Sequence, residues 1–218
     1  MSLLLLAFAL AAEPEKLGTL SEKYESGGRG LGTVSTGEGD PGGVSYGTYQ
    51  LASKVGRADE FVQKYYPTEF KDLKAGSDEF TKVWKKLAKD DPDTLHRNEH
   101  ELIQVTHYDP QAKKLLKDVQ LDIDKSSAAL REVVWSTAVQ HGPNTGLIAK
   151  VVKDLTKDTK LADVTDETLI KAIYAERGRK DDEGKLVYFK KVSDKWLPAL
   201  AKRFESECAD ALDLLKKK

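Results

Sequence analysis

Apolar positions along the chain recur mostly at three- and four-residue spacing, the pattern of amphipathic helices. Leu17, Leu20 and Tyr24 fall at i, i+3 and i+7 and predict a helix over residues 15–25, stopped at Ser26-Gly27-Gly28. Residues 46–54 regain helical character and stop near Gly56. Short helices follow from 57 to 122. Phe61, Val62, Tyr65 and Tyr66 precede Pro67, and Phe80, Val83, Trp84 and Leu87 precede Asp91-Pro92. Leu95, Leu102, Ile103 and Val105 mark a helix ending at Asp109-Pro110, and Leu115, Leu116 and Val119 continue the pattern.

Residues 126–141 carry Leu130, Val133, Val134, Trp135, Ala138 and Val139 on most of their faces, which predicts a central, buried helix. Ser126 or Ser127 caps it and Gly142-Pro143 ends it, so Gln140 and His141 are delivered at the tip of a buried rod. Residues 144–155 and 166–177 predict two further helices, the second capped by Thr165. Residues 178–190 read as a charged hairpin or loop. Ser193 then caps a last helix reaching Leu215, striped by Leu197, Leu200, Phe204, Cys208, Leu212 and Leu215. Strand signals are confined to 33–36, 44–46 and 186–189. The expected fold class is mainly α (α+β), with a small β-hairpin or glycine-rich loop, and residues 13–218 form one domain.

Charge narrows the partners. Charged residues make up 33% of the chain but nearly cancel at net −1, so no basic footprint for nucleic acid is present. The single cysteine, Cys208, excludes an internal disulfide framework and reads as a helix residue. Residues 1–12 are apolar and small-residue-rich, like a short secretory signal, yet no Lys or Arg precedes them, and an ordinary N-terminal helix is the plainer reading. They are too short to span a bilayer, so no membrane partner is expected.

The candidate chemistry lies in residues 24–50, which hold nine of the sixteen glycines. Val34, Val44, Tyr46 and Tyr49 give this loop packing anchors, so it reads as a loop that holds a shape rather than a linker. It opens on Glu25, at the end of a helix, and carries Asp40 between Gly39 and Pro41. Glycoside hydrolysis needs one protonated carboxyl to donate to the leaving oxygen and one carboxylate to attack or to activate water. Glu25, beside Tyr24 in a semi-apolar helix end, suits the acid; Asp40, on an open glycine corner, suits the second role. Glu38 is the decoy and reads as solvated.

The pieces Tyr24-Glu25-Ser26-Gly27-Gly28 and Gly39-Asp40-Pro41-Gly42-Gly43-Val44-Ser45-Tyr46-Gly47-Thr48-Tyr49-Gln50 resemble the muramidase domains of phage tail and endolysin proteins and of type VI secretion spike effectors. More distantly they resemble the lysozyme superfamily, chitosanase-like members included. The run Trp135-Ser136-Thr137-Ala138-Val139-Gln140-His141-Gly142 is similar too, whereas 57–122 carries no such likeness. The resemblance implies a lysozyme-like fold in which a Tyr-Gly-x-x-Gln element opens a helix. It implies cleavage of a bacterial cell-wall glycan, by a monomer with no metal or other cofactor. Delivery would be by a phage, by a secretion system or by export. Glu25 is then the acid and Asp40 the general base of an inverting reaction. Ser45, Tyr46, Thr48, Tyr49, Gln50, Gln140 and His141 would bind substrate. A lytic transglycosylase using Glu25 alone, a chitosanase and a catalytically silent wall-binding module are the alternatives.

One motif competes. His96-Arg97-Asn98-Glu99-His100 fits the H-x-x-E-H pattern of zinc peptidases, with two His on one helix face and Glu99 as base. No third ligand is evident, and exposed helix histidines are the plainer reading. The charge runs, Lys216 to Lys218 among them, read as solvated faces, the C-terminal lysines being able to contact anionic wall. The glycine-rich loop has no Gly-Lys-Ser/Thr and no G-x-G-x-x-G after a strand, which sets aside phosphate binding.

Overall fold

The computed structural model describes residues 17–25, 30–190 and 192–217. The fold is mainly α. Helix α1 spans Thr19–Glu25, and a two-stranded antiparallel hairpin follows, β1 (Ser45–Tyr46) and β2 (Leu51–Ala52), in the register Ser45–Ala52 and Tyr46–Leu51. Then come α2 (Arg57–Tyr65), α3 (Asp78–Asp90), α4 (Pro92–Ile103), α5 (Asp109–Val119), α6 (Ala128–His141), α7 (Leu147–Leu155), α8 (Asp166–Arg177) and α9 (Leu197–Lys216). The segments 1–12 and Ser26-Gly27-Gly28 lie outside the described residues.

Helix α6 is the axis of the molecule, as its all-round apolarity predicts. Ser127 caps it by accepting from Leu130 N at 3.2 Å, and Trp135, Val133, Val134 and Ala138 are fully buried. It touches α1, α5, α8 and α9. An aromatic cluster sits under the hairpin, where Tyr46, Phe61 and Phe70 meet Trp84 at tilted or edge-on angles and Phe80 lies parallel to it. Such rings bury large apolar area while avoiding face-to-face repulsion. Thr165 caps α8 as expected.

Three expectations are corrected. Where a helix was expected over 46–54, residues 45–52 form the hairpin, because Gly47 at φ 74° and Gln50 at φ 51° turn the chain back on itself. The Tyr46-Gly47-Thr48-Tyr49-Gln50 element therefore makes a turn and opens no helix. The helix of Leu102 and Ile103 does not stop at Asp109-Pro110; it continues into α5 through a π-helical turn, Gln104–Tyr108. Pro110 has no N–H to give the carbonyl four residues back, and its ring crowds that turn, so the wider coil relieves both. Ser193 does not cap the last helix, which starts after a short 3-10 turn at Asp194–Trp196.

Candidate functional site

A cavity of about 230 Å³ opens where the hairpin, α1, α2, the α4–α5 rod and α6 meet. Glu25, Tyr49, Gln50, Leu51, Arg57 and His107 are among its lining residues. Glu25 reaches it because α1 is held at its start by a carboxylate from α6. Glu132 Oε1 accepts from Thr19 N at 3.1 Å and Thr19 Oγ1 at 2.9 Å, and Oε2 from Leu20 N at 3.1 Å. These bonds satisfy donors that a helix start otherwise leaves open. Burial pushes the Glu132 carboxyl up, against the pull of those donors.

The far end of α1 is held by a chain of charges. Arg203 Nη2 donates to Glu25 Oε1 at 2.6 Å, and Arg203 Nε to Glu207 Oε1 at 2.5 Å. Glu207 also meets Arg177 Nη1 at 3.0 Å, and both those side chains are fully buried. Ser136 and Tyr174 hydroxyls add to Glu207 Oε2 at 2.9 and 3.2 Å. Burial alone would raise the Glu207 carboxyl, yet Arg177 and Arg203 together bring it below the ordinary value. The neighbour of Glu25 is thus a guanidinium, not the semi-apolar surroundings expected from the sequence.

The other named residues divide. Gln50 lines the cavity, and its side-chain amide donates to Gly47 O at 2.8 Å, closing the turn. Tyr49 lines it as well, with its hydroxyl bonded to Glu22 Oε1 at 3.2 Å. Asp40 is exposed on the loop before β1 and caps its own turn, Oδ1 accepting from Gly42 N at 2.7 Å. A side chain on Gly42 would lie 3.2 Å from that Oδ1 and 3.3 Å from Ala52 Cβ, and Ala52 lines the cavity of Glu25. Asp40 itself is not among the residues that line that cavity. Glu38 is exposed, as read.

Tyr46 does not line a cleft. It is fully buried, ringed by Phe80 and Trp84, and its hydroxyl bonds Thr81 Oγ1 and Gly76 N at 3.0 Å each. Ser45 and Thr48 are buried too, Thr48 N donating to Glu99 Oε2 at 3.1 Å. Gln140 Oε1 accepts from Arg177 Nη2 at 2.6 Å. The His141 ring stands edge-on against Tyr188 and Phe189, and burial, then Arg177 and Arg203, lower its pKa to about 3. Neither lines the cavity that Glu25 opens onto. Both were expected at a cleft because they end α6, but the α6 residue at the cavity is Val139.

The H-x-x-E-H residues have other uses. His96 Nε2 pairs with Glu22 Oε1 at 2.8 Å, and His100 Nε2 bonds Leu17 O at 2.7 Å with its ring stacked on Trp135. Glu99 is fully buried, and burial raises its pKa to about 8. Among the described residues no three His, Cys, Asp or Glu side chains are placed to hold a metal ion.

Sequence reasoning missed Arg57, Thr106, His107 and Arg203. Thr106 and His107 sit on the π-helical turn, whose widening brings consecutive residues to the cavity. Pro110 is the signal that could have found them, since a proline inside a helical pattern demands a local break.

Residues 17–208 match the family model described as "Type VI secretion system spike protein VgrG3-like, C-terminal". The chain is 35% identical over 202 residues to the type VI secretion system spike protein VgrG3 of Vibrio cholerae serotype O1. That match covers 91% of this chain and 19% of the relative, so the chain spans a small part of that protein's length.

Proposed function

The chain belongs to the family of VgrG3-like C-terminal domains of type VI secretion spike proteins, and from that premise we propose that it is a domain that cuts the glycan strand of bacterial peptidoglycan. The observation that carries the reading is Glu25, which opens onto a cavity walled by the same hairpin that Asp40 precedes. In the reaction proposed, the Glu25 carboxyl gives its proton to the leaving glycosidic oxygen. Asp40 takes a proton from water, which attacks the anomeric carbon from the opposite face and inverts it. Tyr49 and Gln50 contact the sugar. Carried on a secretion spike, the domain would meet the wall of the cell it is delivered to.

Peptidoglycan digested by the protein should gain reducing sugar ends and no new amino termini. New amino termini without new sugar ends would overturn the reading. A second reading has its own support. Asp40 is exposed and engaged with its own turn, which suits a lytic transglycosylase working through Glu25 alone and releasing anhydro ends. A chitosanase would instead yield only chitosan-derived oligomers.

A further inference from the structure

Thr106 fixes the tautomer of a cavity histidine. Its hydroxyl lies 2.6 Å from Leu102 O and 2.8 Å from His107 Nδ1. A carbonyl oxygen only accepts, so the one hydroxyl hydrogen goes to Leu102 O. The bond to His107 must then be donated by Nδ1–H. A neutral imidazole has one N–H, so Nε2 carries a lone pair. Among the described residues no hydrogen bond to Nε2 is formed, and the half-buried ring lines the cavity of Glu25. The ring is neutral at ordinary pH, because burial and then the Arg57 charge lower its pKa to about 4, with Glu60 pulling the other way.

The cavity thus offers one uncharged nitrogen acceptor beside an apolar wall of Leu51, Leu102, Ile103 and Val139. We propose that His107 Nε2 accepts the acetamido N–H of an N-acetylated sugar whose methyl group rests on that wall. This rests on the reading of the cavity as a glycan site. The chemistry selects this group over others a polysaccharide could present. A hydroxyl would satisfy Nε2 but leave the apolar wall without a partner. A glucosaminyl ammonium would satisfy Nε2 but bring a second positive charge beside Arg57 and no methyl. The acetamido group carries its N–H donor and its methyl on the two sides of one carbonyl carbon, a polar and an apolar end in one planar unit, and His107 and Val139 line the same cavity.

The test uses the 218-residue chain carrying Glu25→Gln, so that bound oligosaccharide is not turned over, titrated with tri-N-acetylchitotriose and with chitotriose. The parent should bind the acetylated trimer more tightly. His107→Phe should weaken that binding at least tenfold, while His107→Gln, whose amide oxygen can accept, should recover most of it. Nitrogen-15 spectra of His107 should show protonation at Nδ1, and Thr106→Val should shift the proton towards Nε2 and weaken binding with the ring still present. Unchanged affinity in His107→Phe, or an Nε2–H tautomer in the parent, would overturn this assignment while leaving the glycan reading in place. A parent that binds neither trimer would overturn both.

Discussion

Arg203 Nη2 donates to Glu25 Oε1 at 2.6 Å although 178 residues separate the two in sequence. The guanidinium is itself clamped by Glu207, so the candidate acid is aimed from the core rather than by its own helix. Arg203→Met should leave Glu25 free to rotate. Misplacement of a reacting group by about 1 Å can cost ~10²-fold in rate, so turnover should fall at least about tenfold. Stability should fall by about 1–3 kcal/mol, since Glu207 keeps Arg177 as a partner. Paired melting curves and turnover measurements separate the two effects. Parental turnover in a folded Arg203→Met protein would show that Glu25 needs no such support.

The reach of the sequence reading follows from the range of the forces involved. Helices α3, α6 and α8 were legible because a capping side chain and an apolar stripe act over a few residues, Ser127 and Thr165 being the plainest cases. The hairpin was misread in part, since Tyr46 to Lys54 mixes apolar and polar residues and only the left-handed Gly47 and Gln50 decide for a turn. Glu25 could be singled out by its setting at a helix end. Its partner Arg203 could not, because an ion pair across the fold leaves no local spacing. Tyr46, Gln140 and His141 were assigned by likeness to a motif, yet a motif does not say which face of a residue is buried. His107 escaped notice because a π-helical turn shifts the helical period at one place only.

Gly47 is predicted to be among the least replaceable positions of the hairpin. A Cβ there would fall 1.6 Å from Glu99 Oε1 and 2.9 Å from Trp84 Cζ2, at φ 74°. Gly56 supplies a control, with φ 79° and open space around it. Gly56→Ala should cost about 1–2 kcal/mol from backbone strain alone. Gly47→Ala should cost more by about another 1–3 kcal/mol, because Glu99 and Trp84 must move within a packed core. Denaturant midpoints for the two variants measure the difference, and equal losses would mean that Glu99 yields freely.

Stability should peak near pH 6.5, with different groups responsible on each side. Unfolded, Glu99 loses its proton around 4.5; folded, burial keeps the proton to about pH 8. The native state therefore holds an extra proton between those values, and the contribution of Glu99 falls as pH rises through that window. His107 and His141 act in the opposite sense. Unfolded they gain a proton below about 6.5, but folded only near 4 and 3, so stability is lost as pH falls from 6.5. Above 6.5, Glu99 alone of the three remains in play. Glu99→Gln should flatten the decline in melting temperature between pH 6.5 and 8 and leave the acid limb in place. His141→Phe, which keeps a ring against Tyr188 and Phe189, should soften the acid limb instead. A Glu99→Gln protein with the parental alkaline decline would assign that slope to other groups.

The two carboxylates can be told apart by what each variant does to the products. Glu25→Gln removes the proton donor from the cavity and should lower turnover by about 10²–10⁴-fold in a folded protein. Asp40 decides the mechanism. It is not among the residues that line the cavity of Glu25. Inverting enzymes keep their carboxyls about 6.5–9.5 Å apart, so that a general base acts through an intervening water, and retaining enzymes about 5–5.5 Å. Asp40→Asn should keep the turn, because an amide oxygen can accept from Gly42 N as the carboxylate does, yet it cannot take a proton from water. Hydrolysis should then collapse while folding is preserved, and the parent should release the inverted anomer when products are read by NMR within seconds of cleavage. Retained configuration, or a glycosyl group trapped on Asp40, would make Asp40 a nucleophile. Full activity in Asp40→Asn with anhydro sugar ends would leave Glu25 acting alone, as a lytic transglycosylase does.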